Sequence, residues 1–404
     1  MTYLNAKKYI HACPDCVCDK DRFNAFLLQL GSPQKSIKHL RLAGSNGKTV
    51  CAEMLMSVMS RADYNTGCLR MPARQEPRDN ICIGSKTLSM NDFANIAQQI
   101  KDASKVLDML PSRSEALLLI ALCAFKSFNC DLCIIECDHF GNDPSVLLPP
   151  PFAAVICGAI PSDDSKQIAR IRSYVCKGIS EIVSVPQNTE AYRIISDACY
   201  SISCRLTLPA QNKISIGRLS LGGTEFSYKD KRYSLSLCGR FQVSNAVLLL
   251  ETVEMLSRKG FNINQEAVRD GLASLKIPAK FEVLSISPLI IVDSTHTPVA
   301  IDTVCSSLED LKAFIPNDIR LCLPSGKIID DYISALSARG YAIEDIITNG
   351  EYASEENDVT VFTKANQAAR LCLSELDKSK ALLISGEPSF VLPIRYELLG
   401  VLGF

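Results

Sequence analysis

The chain has 404 residues, enough for two or three domains with full cores. Its 43 basic side chains balance 44 acidic ones, giving a net charge of −1 and an isoelectric point near 6.5, which speaks against a nucleic-acid surface. No stretch approaches the roughly 18 apolar residues of a membrane span, and the opening Met1-Thr2-Tyr3-Leu4-Asn5-Ala6-Lys7-Lys8 lacks the apolar core of a signal peptide, so a soluble cytoplasmic protein is expected.

Residues 2–12 and 20–31 carry amphipathic helical patterns. Between them, Cys13-Pro14-Asp15-Cys16-Val17-Cys18 has metal-like spacing at one end only, and without an answering Cys/His pair it reads as a loop. The eighteen cysteines include many inside apolar runs (Cys123, Cys133, Cys157, Cys238, Cys322, Cys372), which fits small hydrophobes in a reduced compartment.

An apolar run from Ile37 to Ala43 delivers the chain into Gly44-Ser45-Asn46-Gly47-Lys48-Thr49, and a helical pattern follows from Cys51. Strand, glycine-flanked turn and helix N-terminus make a phosphate cradle. Glycines let backbone N–H groups approach the oxygens, the helix dipole favours the anion, Lys48 adds a point charge, and Thr49 can hold Mg²⁺. The spacing is shorter than the usual phosphate loop, because Leu42 stands where a first glycine would be.

Downstream, Cys68 to Arg70 reads as a strand, 71–80 as a loop and Ile81 to Gly84 as a hairpin edge. Helices are expected at 91–109 and 114–128. The continuously apolar strands Leu132 to Glu136 and Ala153 to Ala159 suit a parallel sheet buried on both faces. Such alternation predicts a doubly wound sheet, with ligands beyond the carboxyl ends of the strands, where the loop and Glu136 both lie. Residues 203–239 break into short alternating pieces separated by Gly222-Gly223 and Lys229-Asp230, which predicts antiparallel hairpins. Helices at 243–258 and 264–273 lead to a boundary at Ile277-Pro278, giving domains 1–277 and 278–404. After Lys280-Phe281-Glu282-Val283-Leu284 come strands at 289–293, 319–323, 345–348, 359–362 and 380–385, with helices at 298–312, 329–338 and 364–376. The fold class is thus α/β: a doubly wound, mostly parallel sheet with a small antiparallel β subdomain, then a smaller C-terminal α/β domain.

Five stretches in this order resemble one family. Ser32-Pro33-Gln34 is similar to a Gly-Asn-Pro-Gln turn, and Gly239-Arg240-Phe241-Gln242-Val243-Ser244-Asn245-Ala246 to Gly-x-His-Gln-x-x-Asn-Ala. Pro278-Ala279-Lys280-Phe281-Glu282 is similar to Pro-Gly-Arg-Phe-Glu, Asp293-Ser294-Thr295-His296-Thr297-Pro298 to Asp-Gly-Ala-His-Asn-Pro, and Ser385 to Phe390 to a final Gly-Ser-x-Tyr element. With the short phosphate loop, the chain resembles folylpolyglutamate synthase of the Mur ligase superfamily over nearly its whole length. The resemblance implies an ATPase domain and a C-terminal domain that close on ATP. It also implies ATP-driven amide formation in which a substrate carboxylate becomes an acyl phosphate that the amine of glutamate attacks. Gly44, Ser45, Asn46, Gly47, Lys48 and Thr49 would then take the phosphates, and Thr49, Glu136 and Asp163 the Mg²⁺. Gln242 and Asn245 would lie near the adenine, and Lys280, Asp293 and His296 would contact the nucleotide from the second domain. Lys48, Glu136 and His296 would be catalytic. The implied partners are small molecules, namely ATP, glutamate and a folate-like carboxylate, bound by a monomer.

The departures bear on the metal. Arg70-Met71-Pro72-Ala73 stands for the family's Thr-Ser-Pro-His, so a thioether replaces a hydroxyl ligand. Asp163 stands for a metal-binding histidine, Cys176 for a lysine carbamylated in the family, and Lys280 for the junction arginine, keeping the charge and losing the bidentate fork. Soft donors suit Mg²⁺ poorly. One Mg²⁺ with ATP, an empty second metal position and weak turnover of folates are therefore expected. A nucleotide-binding homologue without ligase chemistry and a ligase for another carboxylate are the alternatives.

Overall fold

The computed structural model describes residues 1–15, 18–44, 46–71, 76–137, 144–160, 178–352, 357–374 and 376–403. They fall into two compact units, the first comprising residues 1–211 and 245–272, the second residues 212–244 and 273–404.

In the first unit, α1 (Tyr3–Ala12) and α2 (Lys20–Gln29) precede β1 (His39–Ala43) and α3 (Lys48–Arg61). Then come β2 (Thr66–Leu69), β3 (Ile81–Ile83), β4 (Lys86–Thr87), α4 (Met90–Leu107), α5 (Arg113–Ser127) and β5 (Leu132–Glu136). β6 (Ala153–Ile156), β7 (Glu181–Ser184), α6 (Thr189–Ser201) and β8 (Arg205–Thr207) complete the run, and α7 (Arg240–Arg258) and α8 (Gln265–Ala273) follow later in the chain.

The strands form one sheet in the order β4-β3-β2-β5-β1-β6-β7-β8, parallel from β2 to β8, with β3 and β4 antiparallel at one edge. β1 and β5 are buried along their whole length, as strands covered on both faces must be. α1, α2, α4 and α5, whose Ile10, Phe23, Phe26, Phe93 and Phe125 build the larger core, pack on Leu69, Cys133 and Ile135; α6 packs Ala191, Ile195 and Cys199 on Ala154, Ile156 and Ile182, which the strand registers place on the same face. α5 starts on a capping box, Ser112 with Glu115. The same buried Glu115 accepts from Asp19 N at 2.9 Å and from Arg22 Nε and Nη2 at 2.8 Å, tying α2 to α5.

On β1, the buried Arg41 donates to the Ser145 carbonyl at 2.6 Å and to that of Leu148, anchoring the turn that leads to β6. His39, two residues earlier, is also buried. No helix of the described residues is long and apolar enough to cross a membrane.

The stretch 203–239 differs from its sequence reading at one end. Arg205–Thr207 is not part of a hairpin; it pairs in parallel with β7 at the edge of the large sheet. An edge strand of three residues is half exposed, so its alternation imitates an antiparallel piece.

In the second unit, β9 (Ile214–Ser220), β10 (Gly223–Tyr228) and β11 (Lys231–Leu235) form the expected antiparallel sheet. Next come β12 (Glu282–Ile286), β13 (Leu289–Asp293), α9 (Pro298–Asp310), β14 (Asp318–Leu323), α10 (Lys327–Ser337) and β15 (Ala342–Thr348). The unit ends with β16 (Asp358–Val361), α11 (Ala365–Leu373), β17 (Lys380–Ser385) and α12 (Pro388–Leu402). The sheet order is β12-β13-β17-β14-β15-β16, parallel except for β12. α9 and α10 cover one face through Ile301, Leu308, Ile329 and Tyr332, joined by Leu219, Leu221 and Phe241 from the region of the antiparallel sheet. α11 and α12 cover the other through Ala368, Cys372, Val391 and Leu398.

Candidate active site

In the first unit the chain leaves β1 at Ala43 and turns sharply. Gly44 has φ +133°, and a Cβ built on it would lie 1.5 Å from the Cys157 carbonyl oxygen, so only glycine fits. Gly47, φ +82°, is the N-cap of α3 and brings no side chain to cap it, which leaves the first-turn N–H groups to an incoming anion. A Cβ at Gly47 would lie 2.8 Å from Asn245 Oδ1, so α7 closes over the loop. Lys48 Nζ donates to the Gly44 carbonyl at 2.8 Å, folding the ammonium back over the turn.

Thr49 Oγ1 donates to Glu136 Oε2 at 3.3 Å. Glu136 is buried at the carboxyl end of β5, in register with Leu42 of β1. A hydroxyl beside a carboxylate is a hard-oxygen pair that fits Mg²⁺, an ion that keeps several waters and completes its shell from substrate phosphates. Among the described residues, no three His, Cys, Asp or Glu side chains gather as a metal cluster.

Across the neighbouring strand end, Leu69 pairs with Ile135, which sets Arg70 next to Glu136 in the sheet order. The Arg70 guanidinium forms an ion pair with Glu53 of α3, one turn beyond Thr49, and reaches Cys82 Sγ at 3.0 Å and the Asp79 carbonyl at 3.4 Å. Burial works against its charge, but the Glu53 carboxylate together with Cys68, Cys82 and Glu136 outweighs that and holds its pKa above the ordinary arginine value. Met71 turns the other way, into the apolar core beside Leu69 and Ile81. This corrects the expectation of a thioether at the metal.

In the second unit the corresponding residues surround the carboxyl ends of β13 and β17. Asp293 ends β13, 3% exposed, and its Oδ2 accepts from Phe281 N at 2.7 Å. Burial raises its pKa, opposed by the charge of Lys280 and by hydrogen bonds from Thr295 and Phe281. Ala279 and Phe281 both have left-handed backbone, φ +52° and +51°, and bury their side chains in the two cores on opposite faces of the sheet. The Ala279 carbonyl accepts from Ser294 N at 2.8 Å, and Ala279 N donates to Glu282 Oε2 at 2.8 Å. Arg395 of α12 grips both oxygens of Glu282, Nη2 to Oε1 at 2.6 Å. Thus the segment 279–282 is pinned across the end of β13. His296, three residues past Asp293, is exposed.

Known proteins share this plan. No protein-family model matches the chain. Folylpolyglutamate synthase of Lacticaseibacillus casei is 21% identical over 332 residues, 77% of either chain. Dihydrofolate synthase/folylpolyglutamate synthase of Bacillus subtilis is 22% identical over 421 residues, 93% of this chain and 94% of the relative. A solved folylpolyglutamate synthase–AMPPCP–folate complex superposes with a TM-score of 0.80 at 19% identity, over 99% of this chain and 100% of that one. In sequence the chain is a distant relative of the folylpolyglutamate and dihydrofolate synthases, and it shares their fold.

Of the residues singled out by resemblance to that family, Gly44, Gly47, Lys48, Thr49, Glu136 and Asn245 come together in the first unit. Asn46 is exposed on the loop. Ser45, Asp163 and Cys176 lie outside the described residues. Gln242 belongs to the second unit and is buried near the start of α7. Lys280 and Asp293 are neighbours in that unit, and Asp293 is turned inward to hold its own loop. Sequence reasoning did not single out the Arg70–Glu53 pair, the Glu282–Arg395 clamp or the buried Tyr332. Only the first left a signal, Glu53 standing four residues after Thr49 and so on the same face of the helix.

Proposed function

We propose that the chain is an ATP-dependent amide ligase that adds glutamate to a folate-type carboxylate through an acyl phosphate. The observation that carries this is the first-unit site, where a strand runs into a glycine turn too tight for any side chain and a helix N-terminus opens onto Lys48, Thr49 and Glu136. The names of its relatives supply the reaction class. The substrate carboxylate forms a new P–O bond to the γ-phosphorus as the bond to ADP breaks. Glutamate nitrogen then attacks the acyl carbon, and phosphate leaves with the C–O electron pair.

In this scheme the loop N–H groups and Lys48 bind and orient the phosphates and stabilise charge spread over the transferred group. Thr49 and Glu136 would hold Mg²⁺, which supplies further charge neutralisation when bound. Lys280 and His296 would serve the nucleotide from the second unit, with Asp293 fixing their loop. We take the enzyme to be a cytoplasmic monomer, a reading that rests on its near-neutral charge and on composition. Among the described residues, Thr49 and Glu136 offer this Mg²⁺ position hard oxygen donors, as ligase chemistry needs.

Phosphate release from ATP should require both glutamate and a reduced folate. Lys48→Ala should abolish AMPPCP binding by calorimetry or reduce it severely; unchanged affinity would remove the phosphate-loop assignment.

A further inference from the structure

Beneath the Asp293–His296 loop lies a chain of buried hydroxyls that the proposed chemistry does not use. Tyr332 of α10 is fully buried, and its hydroxyl donates to Ser385 Oγ at 2.7 Å. Ser385, also fully buried, ends β17 and pairs in register with Asp293 at the end of β13. Its own proton goes to the Thr295 carbonyl at 3.0 Å. The direction of the chain is therefore set. Serine has one proton, it is spent on Thr295, and so Tyr332 must donate.

We propose that Tyr332 and Ser385 are positioning residues that hold the Asp293–His296 loop in its nucleotide-ready shape. Thr295 sits between the inward carboxylate of Asp293 and the exposed His296, and three buried anchors fix this segment. Asp293 Oδ2 takes Phe281 N, Ser294 N gives to the Ala279 carbonyl, and the Thr295 carbonyl takes Ser385. The first two bind the loop to 279–281. Of these three, the third ties the part beyond Asp293 to the end of β17 and, through Tyr332, to α10. Without it the Thr295 peptide is free to rotate, and the peptide carrying His296 rotates with it. The inference rests on the reading that this loop serves the nucleotide.

The two substitutions are unequal. Tyr332→Phe leaves Ser385 able to donate to Thr295 and removes one bond above it. Ser385→Ala strands both the tyrosine hydroxyl and the Thr295 carbonyl in the interior, so it should do more harm. Losing that anchor should weaken AMPPCP binding roughly tenfold in Ser385→Ala and about two- to threefold in Tyr332→Phe. Ser385→Thr, which keeps the hydroxyl, should bind more tightly than Ser385→Ala.

The control is Tyr341→Phe, which also deletes a buried hydroxyl bond in this unit, 2.8 Å to the Leu308 carbonyl, away from the loop. Tyr341→Phe should lower thermal stability and leave AMPPCP affinity unchanged. Hydrogen exchange of the 293–297 amides, without nucleotide, should speed up in Ser385→Ala and not in Tyr341→Phe. A lowered melting temperature in Ser385→Ala, Tyr332→Phe and Tyr341→Phe alike, with affinity and loop exchange the same in all three, would overturn the inference. Should the unmodified protein fail to bind AMPPCP, the nucleotide reading falls by itself. Loop exchange then still decides whether Tyr332 and Ser385 hold the segment.

Discussion

His39 makes the first unit acid-sensitive. It lies on β1, buried, with Nε2 lacking a hydrogen-bond partner among the described residues. Burial pushes its pKa down from 6.5 to about 4, the neighbouring Arg41 charge adds to this, and a bond to the Pro149 carbonyl opposes it. The unfolded chain therefore takes up a proton near pH 6.5 that the folded unit refuses until about pH 4. Stability is complete above pH 7 and falls as the pH drops through that window. Linkage puts the loss at about 2 kcal/mol by pH 5 and about 3 kcal/mol below both values. The assay is urea unfolding followed by far-UV circular dichroism, since the chain has no tryptophan. Wild type and His39→Asn are compared at pH 7.5 and pH 5. His39→Asn costs its own pH-independent amount, and its gap to wild type should narrow by about 2 kcal/mol at pH 5. A gap that stays constant between the two pH values would refute the reasoning.

Gly44→Ala should abolish AMPPCP binding in calorimetry, because its Cβ would fall 1.5 Å from the Cys157 carbonyl oxygen and the loop must move to admit it. Glu53→Gln leaves the largely buried Arg70 cation without its counter-charge and should cost roughly 3 kcal/mol in chemical unfolding, most of it recovered in the double variant Glu53→Gln/Arg70→Met. Glu136→Gln keeps an acceptor for Thr49 and removes the charge. Its turnover should fall on the order of 10²–10³, and added Mg²⁺ should no longer strengthen AMPPCP binding as it does in wild type.

The phosphate loop was legible because such loops demand glycine, lysine and a hydroxyl at fixed offsets between a strand and a helix, and the positions involved adjoin in the chain. Most of the regular strands and helices followed from periodicity; α6 went unread although Ala191, Ile195 and Cys199 repeat at helical spacing. What else escaped depends on contacts between distant positions. Tyr332 meets Ser385 across 53 residues, and Arg395 meets Glu282 across 113; neither leaves a local pattern. β7 is a strand of four residues, too short to show alternation, and α12 is apolar on most sides with Pro393 inside it, so its 3.6-residue period is blurred. Met71 misled for a different reason. Motif matching gives the residue type at a position but not the direction of its side chain, and the chain leaving β2 sends Arg70 toward Glu53 and Met71 into the core. Ala279 shows the converse, an alanine standing where the family's motif has glycine yet holding the left-handed backbone that a glycine would take.

The ligase reading meets its most direct test in the product. The protein is incubated with ATP, Mg²⁺, L-glutamate and tetrahydrofolate, and the folate is weighed by mass spectrometry while ADP and phosphate are counted. A folate heavier by one glutamyl residue, with one ADP and one phosphate released per amide formed, is the predicted result. Folate of unchanged mass, under conditions where AMPPCP binds and Lys48→Ala does not bind it, would contradict glutamate ligation to folate.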